Sequence, residues 1–182
     1  MQFRIYFRGL QSSDAAIINQ MRLIEEYESA VGGTKRFVPL QRDQKWVDQI
    51  ILEDDPTRMY MAICEKDGNR FVGYTSIHEM DHINGKCFWS GIKIKPEATG
   101  KGYGTEVALL LLKYVFEELR MIRCRGECFT DNPAIKNLLD KVGFKTEGVM
   151  RSCAYKNGAV KDVYLVSVVT DDYKEIKARY KL

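Results

Sequence analysis

The chain has few of the features that mark several common classes of protein. It contains only four prolines and two histidines in 182 residues, and no apolar run approaches the roughly 20 residues that a membrane span needs. Its first eight residues alternate polar and apolar side chains and lack the core of a signal peptide. Internal repeats, low-complexity tracts and linkers are absent from the sequence. We therefore expect one soluble domain over 1–182, with no membrane partner.

Charge and cysteine usage argue against a nucleic-acid-binding protein and against a protein held together by disulfides. The 28 basic and 25 acidic residues leave a net charge of +3, and the basic residues are scattered. A nucleic-acid partner is not expected, because such proteins concentrate positive charge on one face. The five cysteines form no C-x-x-C pair, which favours free, buried thiols. Free thiols are typical of a reducing compartment, so the predicted location is cytoplasmic.

The histidines and cysteines also lack the arrangement of a metal site. His78 and His82 are four residues apart at the end of a predicted strand, where this spacing does not bring two ligands together. Cys124 and Cys128 share one face of another predicted strand, and we interpret them as core thiols. No metal cofactor is expected.

Strand and helix patterns alternate along the chain. Alternating polarity and turn signals predict strands, and apolar residues at helical spacing predict helices. The predicted strands cover 3–7, 59–64, 71–80, 87–94, 122–129, 144–155 and 160–169, and the helices cover 13–24, 41–52, 107–119 and 132–142. A C-terminal helical turn is expected after the last strand. This order indicates a mixed α/β (α+β) domain with a single central, mostly antiparallel mixed sheet flanked by helices.

The most informative stretch is 92–106. A β-prone segment, Ile92-Lys93-Ile94, runs into a loop with three glycines, at 100, 102 and 104, and an apolar helix pattern follows. Unpaired N–H groups and the positive end of a helix dipole then face one point, which attracts phosphate. The P-loop spacing fails because Lys101 is followed by glycine, and the dinucleotide spacing fails at its third glycine.

Two motifs, in order, resemble one family. The stretch Thr99-x-x-Gly102-x-Gly104 is similar to the acetyl-CoA-binding pattern [QR]-x-x-G-x-[GA] of the GCN5-related N-acetyltransferases, with threonine at the first position. The stretch from Asn132 to Phe144 resembles the second signature of that family, N-x-x-[AS] followed by K-x-G-F. The segments 147–151 and 156–164 are similar to the branch that acetylates ribosomal-protein N-termini.

The resemblance implies acetyl-CoA as co-substrate, held between splayed strands. Glycine amides would surround the pyrophosphate, Lys101 would add a counter-charge, and the backbone of 92–94 would pair with the pantetheine arm. Asn132 would either contact that arm or cap its helix. The predicted coenzyme contacts are Ile92, Lys93, Ile94, Thr99, Gly100, Lys101, Gly102, Tyr103, Gly104, Thr105, Asn132 and Asn137.

The same resemblance implies direct attack of a primary amine on the thioester. This reaction needs a base that takes a proton from the amine and a backbone donor for the thioester carbonyl. The predicted donor is the amide of Ile94 or its neighbour. The predicted base is Glu79, with Asp81 and His78 beside it at the end of a strand.

Besides Thr99, two catalytic residues of the family are missing. The strand before the loop holds 88–91 (Phe-Trp-Ser-Gly), so the glutamate of many relatives is missing, and Leu139 stands where much of the family has a tyrosine. Tyr103, Tyr155 and Tyr164 are the alternative proton donors, and water is another. A non-catalytic acyl-CoA-binding or sensing domain is therefore the alternative function.

The acceptor amine stays open at this point. The resemblance assigns about 1–57 to a substrate-side strand and helices, and 59–169 to a coenzyme-binding core. Protein N-termini, polyamines, aminoglycosides and amino acids are all candidate acceptors. The oligomeric state is open too, with a homodimer as the association considered.

Overall fold

One mixed sheet organises the computed structural model, which describes residues 2–25, 28 and 35–182. Over those residues the sheet has seven strands, in the spatial order first, second, third, fourth, fifth, seventh, sixth. They are β1 (Ile5–Arg8), β2 (Met59–Glu65), β3 (Phe71–Asp81), β4 (Lys86–Ile94), β5 (Arg123–Phe129), β6 (Lys145–Lys156) and β7 (Ala159–Val169). Every neighbouring pair is antiparallel except β4 with β5. The predicted mixed, mostly antiparallel sheet is confirmed.

Helices flank this sheet. The described residues form α1 (Asp14–Met21), α2 (Leu40–Leu52), α3 (Tyr103–Lys113), α4 (Pro133–Val142) and α5 (Thr170–Tyr180). A 3-10 turn, Pro96–Ala98, precedes the glycine loop, and α3 continues through a π-helical turn, Tyr114–Glu118. In the described part of the chain, no helix is both long and apolar enough to cross a membrane.

Two apolar cores use the two faces of the sheet. Side chains alternate between the faces of a strand, so Met61 and Ile63 of β2 pack in a different core from Ala62 and Cys64. The larger core joins the sheet to α3, α4 and α5. The smaller core joins it to α1 and α2. The first two helices are thereby fixed over β2 and β3, where they reach the site described below.

The structure corrects two of the predicted elements. The helix predicted over 13–24 ends at Met21, and Leu23 is 80% exposed, although it was expected on the apolar face. The helix is followed by Arg22, whose guanidinium binds Asp43 of α2 at 2.9 Å. This tertiary ion pair lies at the point where the apolar helical spacing of the sequence would have continued the helix. At the other end, the C-terminal turn that the sequence suggested is a full helix, α5.

Candidate active site

β4 and β5 separate partway along their length. Their parallel ladder runs from the pair Lys86–Arg123 to the pair Trp89–Gly126, and no further pair follows among the described residues. Both strands nevertheless continue, to Ile94 and to Phe129. The backbone edges of 90–94 and 127–129 therefore flank an opening, and such edges can pair with an extended ligand. The predicted splayed strands are confirmed.

A β-bulge in β4 lies where the separation begins. Thr75 pairs with Ile92 and Ile77 pairs with Trp89, so two residues of β4 oppose the single residue between them on β3. One of the two is Gly91, with φ of 98°, a conformation that glycine adopts without strain. A bulge bends its strand. The bend therefore accounts for the departure of β4 from β5.

Hydrogen bonds of Thr75 hold this bulge in place. Its hydroxyl donates to the carbonyl oxygen of Gly91 at 2.8 Å and accepts from Nε1 of Trp89 at 2.9 Å. Trp89 is buried and packs against Phe144, with ring centroids 5.6 Å apart. Trp89 is thus a core residue that supports the shape of the cleft.

The opening leads into a cavity of about 530 Å³. Its walls are mainly apolar and aromatic, with a few polar groups, as is typical of ligand sites. The half toward α4 includes Ile92, Phe129, Asn132 and Ile135. The half toward α1 and α2 includes Arg22, Trp46, Tyr60, Tyr74 and His78. One cavity therefore connects the splay to the face that α1 and α2 cover.

The glycine loop lies at the end of β4. Gly100 and Gly102 have φ of 72° and 82°, which glycine tolerates and other residues rarely adopt. Gly102 is the N-cap of α3, and no side chain caps that helix. The amides of the first turn are therefore available to an anion. Gly104 serves packing, since a Cβ there would lie 2.6 Å from Cδ1 of Leu138.

Two buried carboxylates hold the loop from behind. Glu106, 3% exposed, accepts from the backbone N–H and from Nε of Arg4 at 2.7 and 2.6 Å. Arg4 in turn donates to the carbonyl oxygen of Lys101. The hydroxyl of Tyr103 donates to Glu65 at 2.7 Å, which is the main reason that the pKa of Glu65 lies below its ordinary value. The backbone of the loop is thereby positioned without a ligand.

The structure separates the predicted coenzyme residues into groups. Ile92, Lys93 and Asn132 line the cavity. Asn132 also caps α4, because its Oδ1 accepts from the amide of Ile135 at 3.2 Å. Asn137 is exposed on α4 and is not among the lining residues. The coenzyme contacts themselves stay predictions.

Two further predicted residues have a defined orientation. The hydroxyl of Thr99 donates to the carbonyl oxygen of Pro96 at 2.7 Å and so closes its own turn. The amide of Lys95 donates to Val72 on β3. Because neighbouring amides in a strand point to opposite edges, the amide of Ile94 is directed toward the side of β5. That direction is the one its predicted role requires.

Glu79 lies outside the cavity of the splay. Its carboxylate binds Arg125 at 2.6 Å, and its side chain is 64% exposed. The backbone reaches φ of 50° at Glu79, within an irregular stretch of the pairing of β3 and β4, which displaces the side chain from the strand pattern. Asp81 accepts from the amides of Ile83 and Asn84 and so stabilises the hairpin turn. The role of Glu79 as base stays a prediction.

His78 is the polar residue that the sequence analysis undervalued. It lines the cavity, and its Nε2 lies 3.0 Å from Oγ of Ser76, which lies 2.6 Å from Oγ of Ser90. The pKa of His78 lies below its ordinary value, first because burial disfavours the imidazolium form. Period-two spacing puts residues 76 and 78 on one face of β3, and this spacing was the sequence signal that could have brought the two side chains together.

The tyrosines near the cavity are not those that the sequence proposed. Tyr103 is committed to Glu65, Tyr155 is exposed, and Tyr164 does not line the cavity. The cavity is lined instead by Tyr60 and Tyr74. Burial raises the pKa of Tyr60, so its hydroxyl keeps its proton and can donate it in a hydrogen bond at neutral pH. These two residues had no recognisable motif in the sequence.

Comparisons with known proteins agree with this geometry. Residues 4–145 match the model of the acetyltransferase (GNAT) domain family. The chain is 27% identical over 146 residues to "Uncharacterized N-acetyltransferase YoaA" of Bacillus subtilis, a match that covers 80% of this chain and 75% of the relative. It is 30% identical over 111 residues to "Putative ribosomal N-acetyltransferase YdaF" of the same organism, covering 59% and 58% of the two chains.

A solved structure shows the same fold. The spermidine N-acetyltransferase from Vibrio cholerae, in complex with CoA and spermine, superimposes with a TM-score of 0.85. That match covers 94% of this chain and 98% of the other, at 19% identity. The splayed strands, the glycine loop and the match to the family model all indicate the same family. The chain belongs to the GNAT acetyltransferase family and is an N-acetyltransferase, an enzyme that transfers an acetyl group to an amine.

Proposed function

We propose that this enzyme uses acetyl-CoA as co-substrate and binds it across the glycine loop and the splay. The observation that carries the proposal is the end of the β4–β5 ladder at Trp89 and Gly126, directly beside a cavity of about 530 Å³. The amides of 100–105 and the start of α3 suit the pyrophosphate. The edge of 92–94 that faces β5 suits the amides of the pantetheine arm.

The carbonyl of the thioester is assigned to the amide of Ile94, or to that of Ile92 on the same strand edge, as hydrogen-bond donor. A backbone donor that is already oriented costs little reorganisation when negative charge develops on the carbonyl oxygen. The strand edge that bears this amide is held by the pairing of Ile94 with Gly73 on β3. Binding of the coenzyme along the edge would bring its reactive end toward the bulge, where the cavity continues toward α1 and α2.

The acceptor is assigned to the half of the cavity that α1 and α2 cover. Trp46, Tyr60 and Tyr74 provide an aromatic wall there, which suits the apolar body of an amine substrate. A substrate side of about 1–57 and a coenzyme core of 59–169 within a single domain stay a proposal, in which α1 and α2 belong to the first part and the strands that carry Tyr60 and Tyr74 belong to the second. A homodimer stays a proposal for the oligomeric state, and the cytoplasm for the location.

Two acceptor classes have support from relatives. A protein N-terminus is suggested by the segments 147–151 and 156–164 and by the name of the relative YdaF. A polyamine is suggested by the Vibrio cholerae enzyme, whose structure holds spermine. We propose a primary amine of one of these classes, with the ribosomal-protein N-terminus as the branch that the sequence favours.

The proposal is tested with acetyl-CoA and a panel of amines. The panel contains spermidine, peptides with free N-termini that match ribosomal proteins, an aminoglycoside and single amino acids, and release of free thiol is followed. We expect saturable turnover of at least one amine and tight binding of acetyl-CoA. Binding without turnover of any amine would favour a non-catalytic acyl-CoA sensor, which the missing glutamate and tyrosine positions make the specific alternative. Failure to bind acetyl-CoA would refute both the proposed use of acetyl-CoA and the alternative of an acyl-CoA sensor.

A further inference from the structure

A hydrogen-bonded chain of three polar side chains crosses the floor of the cavity. Ser90 of β4 is in contact with Ser76 of β3, with their hydroxyl oxygens 2.6 Å apart, and Ser76 lies 3.0 Å from Nε2 of His78. All three residues line the cavity. Ser90 is exposed to the opening, whereas Ser76 is only 5% exposed. The chain therefore leads from the open splay to a buried hydroxyl and then to an imidazole.

The position of Ser90 places the hydrogen-bonded chain beside the proposed path of the coenzyme. Trp89 makes the last pair of the β4–β5 ladder, so Ser90 is the first residue beyond it, at the apex of the splay. The amide of Ile92 points to the same edge as that of Ile94 and lies only two residues from Ser90, about 7 Å along a strand, so a thioester carbonyl bound there is close to Ser90. A pantetheine arm that enters from the glycine loop and follows this edge would have its thioester end directed toward Ser90.

The surroundings of His78 favour the neutral imidazole. Its ring packs edge-on against Tyr60, with centroids 5.1 Å apart. Burial is the largest effect on its pKa and Arg58 lowers it further, while Glu79 and Asp55 act in the opposite direction. The result lies below the ordinary value of 6.5, so the imidazole is free to accept a proton at neutral pH.

We infer that Ser90, Ser76 and His78 form a proton relay that takes a proton from the acceptor amine, with His78 as its terminal acceptor. The inference rests on the proposed use of the splay by acetyl-CoA. It differs from the sequence-based choice of Glu79, whose carboxylate lies with Arg125 outside the cavity. It also explains how a chain without the glutamate of its relatives can deprotonate an amine.

The proton balance of the relay is complete. The ammonium form of the acceptor gives one proton to Oγ of Ser90, the proton of Ser90 passes to Oγ of Ser76, and the proton of Ser76 passes to Nε2 of His78. The neutral amine then forms the C–N bond at the carbonyl carbon. When the C–S bond breaks, the leaving thiolate takes the second proton of the nitrogen. His78 returns its proton to solvent, so one proton is released in each turnover.

The test is a pH profile of His78→Gln, since glutamine keeps a hydrogen-bond donor near Ser76 but cannot act as a base. At neutral pH we expect kcat/KM to fall about 10²-fold or more, the range typical of a lost general base. The defect should shrink as pH rises, because each pH unit raises the neutral fraction of an amine about tenfold below its pKa. Ser76→Ala should show the same pH-dependent loss, with unchanged affinity for acetyl-CoA.

Matched variants separate the relay from structural damage. His82→Gln changes the other histidine, which is exposed and contacts Pro56, and Ser167→Ala removes a buried hydroxyl of β7 that contacts Glu147. Both should keep the wild-type profile. The double variant of Ser76→Ala with His78→Gln should be no worse than either single variant, because residues that act as a unit are not additive.

Several results would overturn the relay. One is a wild-type pH profile in His78→Gln, and another is a loss of equal size at every pH, which would indicate a structural role. A pH-dependent loss in Glu79→Gln with normal kinetics in His78→Gln would assign the base to the carboxylate instead. If the wild-type enzyme acetylates no amine in the panel, the proposed function fails first and the relay fails with it.

Discussion

The guanidinium of Arg4 donates through Nη2 to the carbonyl oxygen of Lys101, 2.7 Å away and 97 positions later in the chain. The same side chain donates to the buried carboxylate of Glu106 in the first turns of α3 and lies over the ring of Tyr103. One residue before β1 thus connects the edge of the sheet to both sides of the glycine loop. The backbone of the proposed anion site is held by a contact that no local motif contains.

Arg4→Met should weaken acetyl-CoA binding and destabilise the fold. The substitution leaves Glu106 buried with fewer donors, which costs about 1–3 kcal/mol, and frees the carbonyl of Lys101. Urea unfolding and calorimetric titration with acetyl-CoA measure the two effects. Lys174→Met is the control, because its pair with Asp171 is exposed and worth little. Wild-type coenzyme affinity in the Arg4 variant would show that the loop holds its shape without this contact.

Gly102→Asp should abolish coenzyme binding. The residue has φ of 82° and begins α3, so the new side chain adds backbone strain and puts a carboxylate where an anion is expected. Gly158→Asp is the matched control, since Gly158 has φ of 76° in the hairpin between β6 and β7 and has no heavy atom within 4 Å of an added Cβ. The control should lose comparable stability and keep its affinity for acetyl-CoA. Equal affinities in the two folded variants would contradict the assignment of the loop.

Thr75→Val should disturb the bulge of β4. Valine has the shape of threonine but cannot bond to Gly91 or to Nε1 of Trp89, which would be left buried without its partner. We expect a loss of about 1–3 kcal/mol in the free energy of unfolding and a lower kcat. Thr170→Val removes an exposed, long hydrogen bond to Ile122 and should be nearly neutral. Unchanged turnover in a stable Thr75 variant would show that the bulge does not depend on this hydroxyl.

Ionisation of Tyr173 should lower the stability of the folded enzyme in alkaline solution. Burial first, and then its hydrogen bond to Glu117, raise the pKa of Tyr173 above its ordinary value of 10.0. The folded state then holds the proton more tightly than the unfolded state, so the contribution is complete below pH 10.0 and decreases as pH rises above it. Tyr173→Phe should flatten the decrease in the free energy of urea unfolding from about pH 10 upward. The exposed Tyr155→Phe should retain the wild-type slope, and a retained slope in Tyr173→Phe would refute the assignment.

Local signals predicted much of the fold and the location of the glycine loop. Strands appeared as period-two alternation, and α4 appeared between its cap residue Asn132 and Gly143, which adopts φ of 114° at the C-cap. The glycines at 100 and 102 were recognisable from their spacing, and the structure shows that both adopt left-handed conformations. These features depend on residues that are near one another in sequence, so they are readable without the tertiary structure.

The chemistry of the acceptor side was not readable in the same way. Glu79 and His78 are neighbours, and only the irregular pairing of β3 with β4 places the carboxylate with Arg125 and the imidazole in the cavity. Tyr103 looked available until the fold brought Glu65 to its hydroxyl. Each outcome depends on strand register or on a partner far along the chain.

By itself, the sequence determined the order of the elements, the glycine loop and membership of an acetyl-CoA-dependent family, because periodicity, backbone conformation and motif spacing are local properties. The tertiary structure alone decided how β4 leaves β5, how Arg4 holds Lys101, and which polar groups share the cavity with Ser90. The physical reason is that hydrogen bonds and burial act between side chains that only folding brings within contact distance.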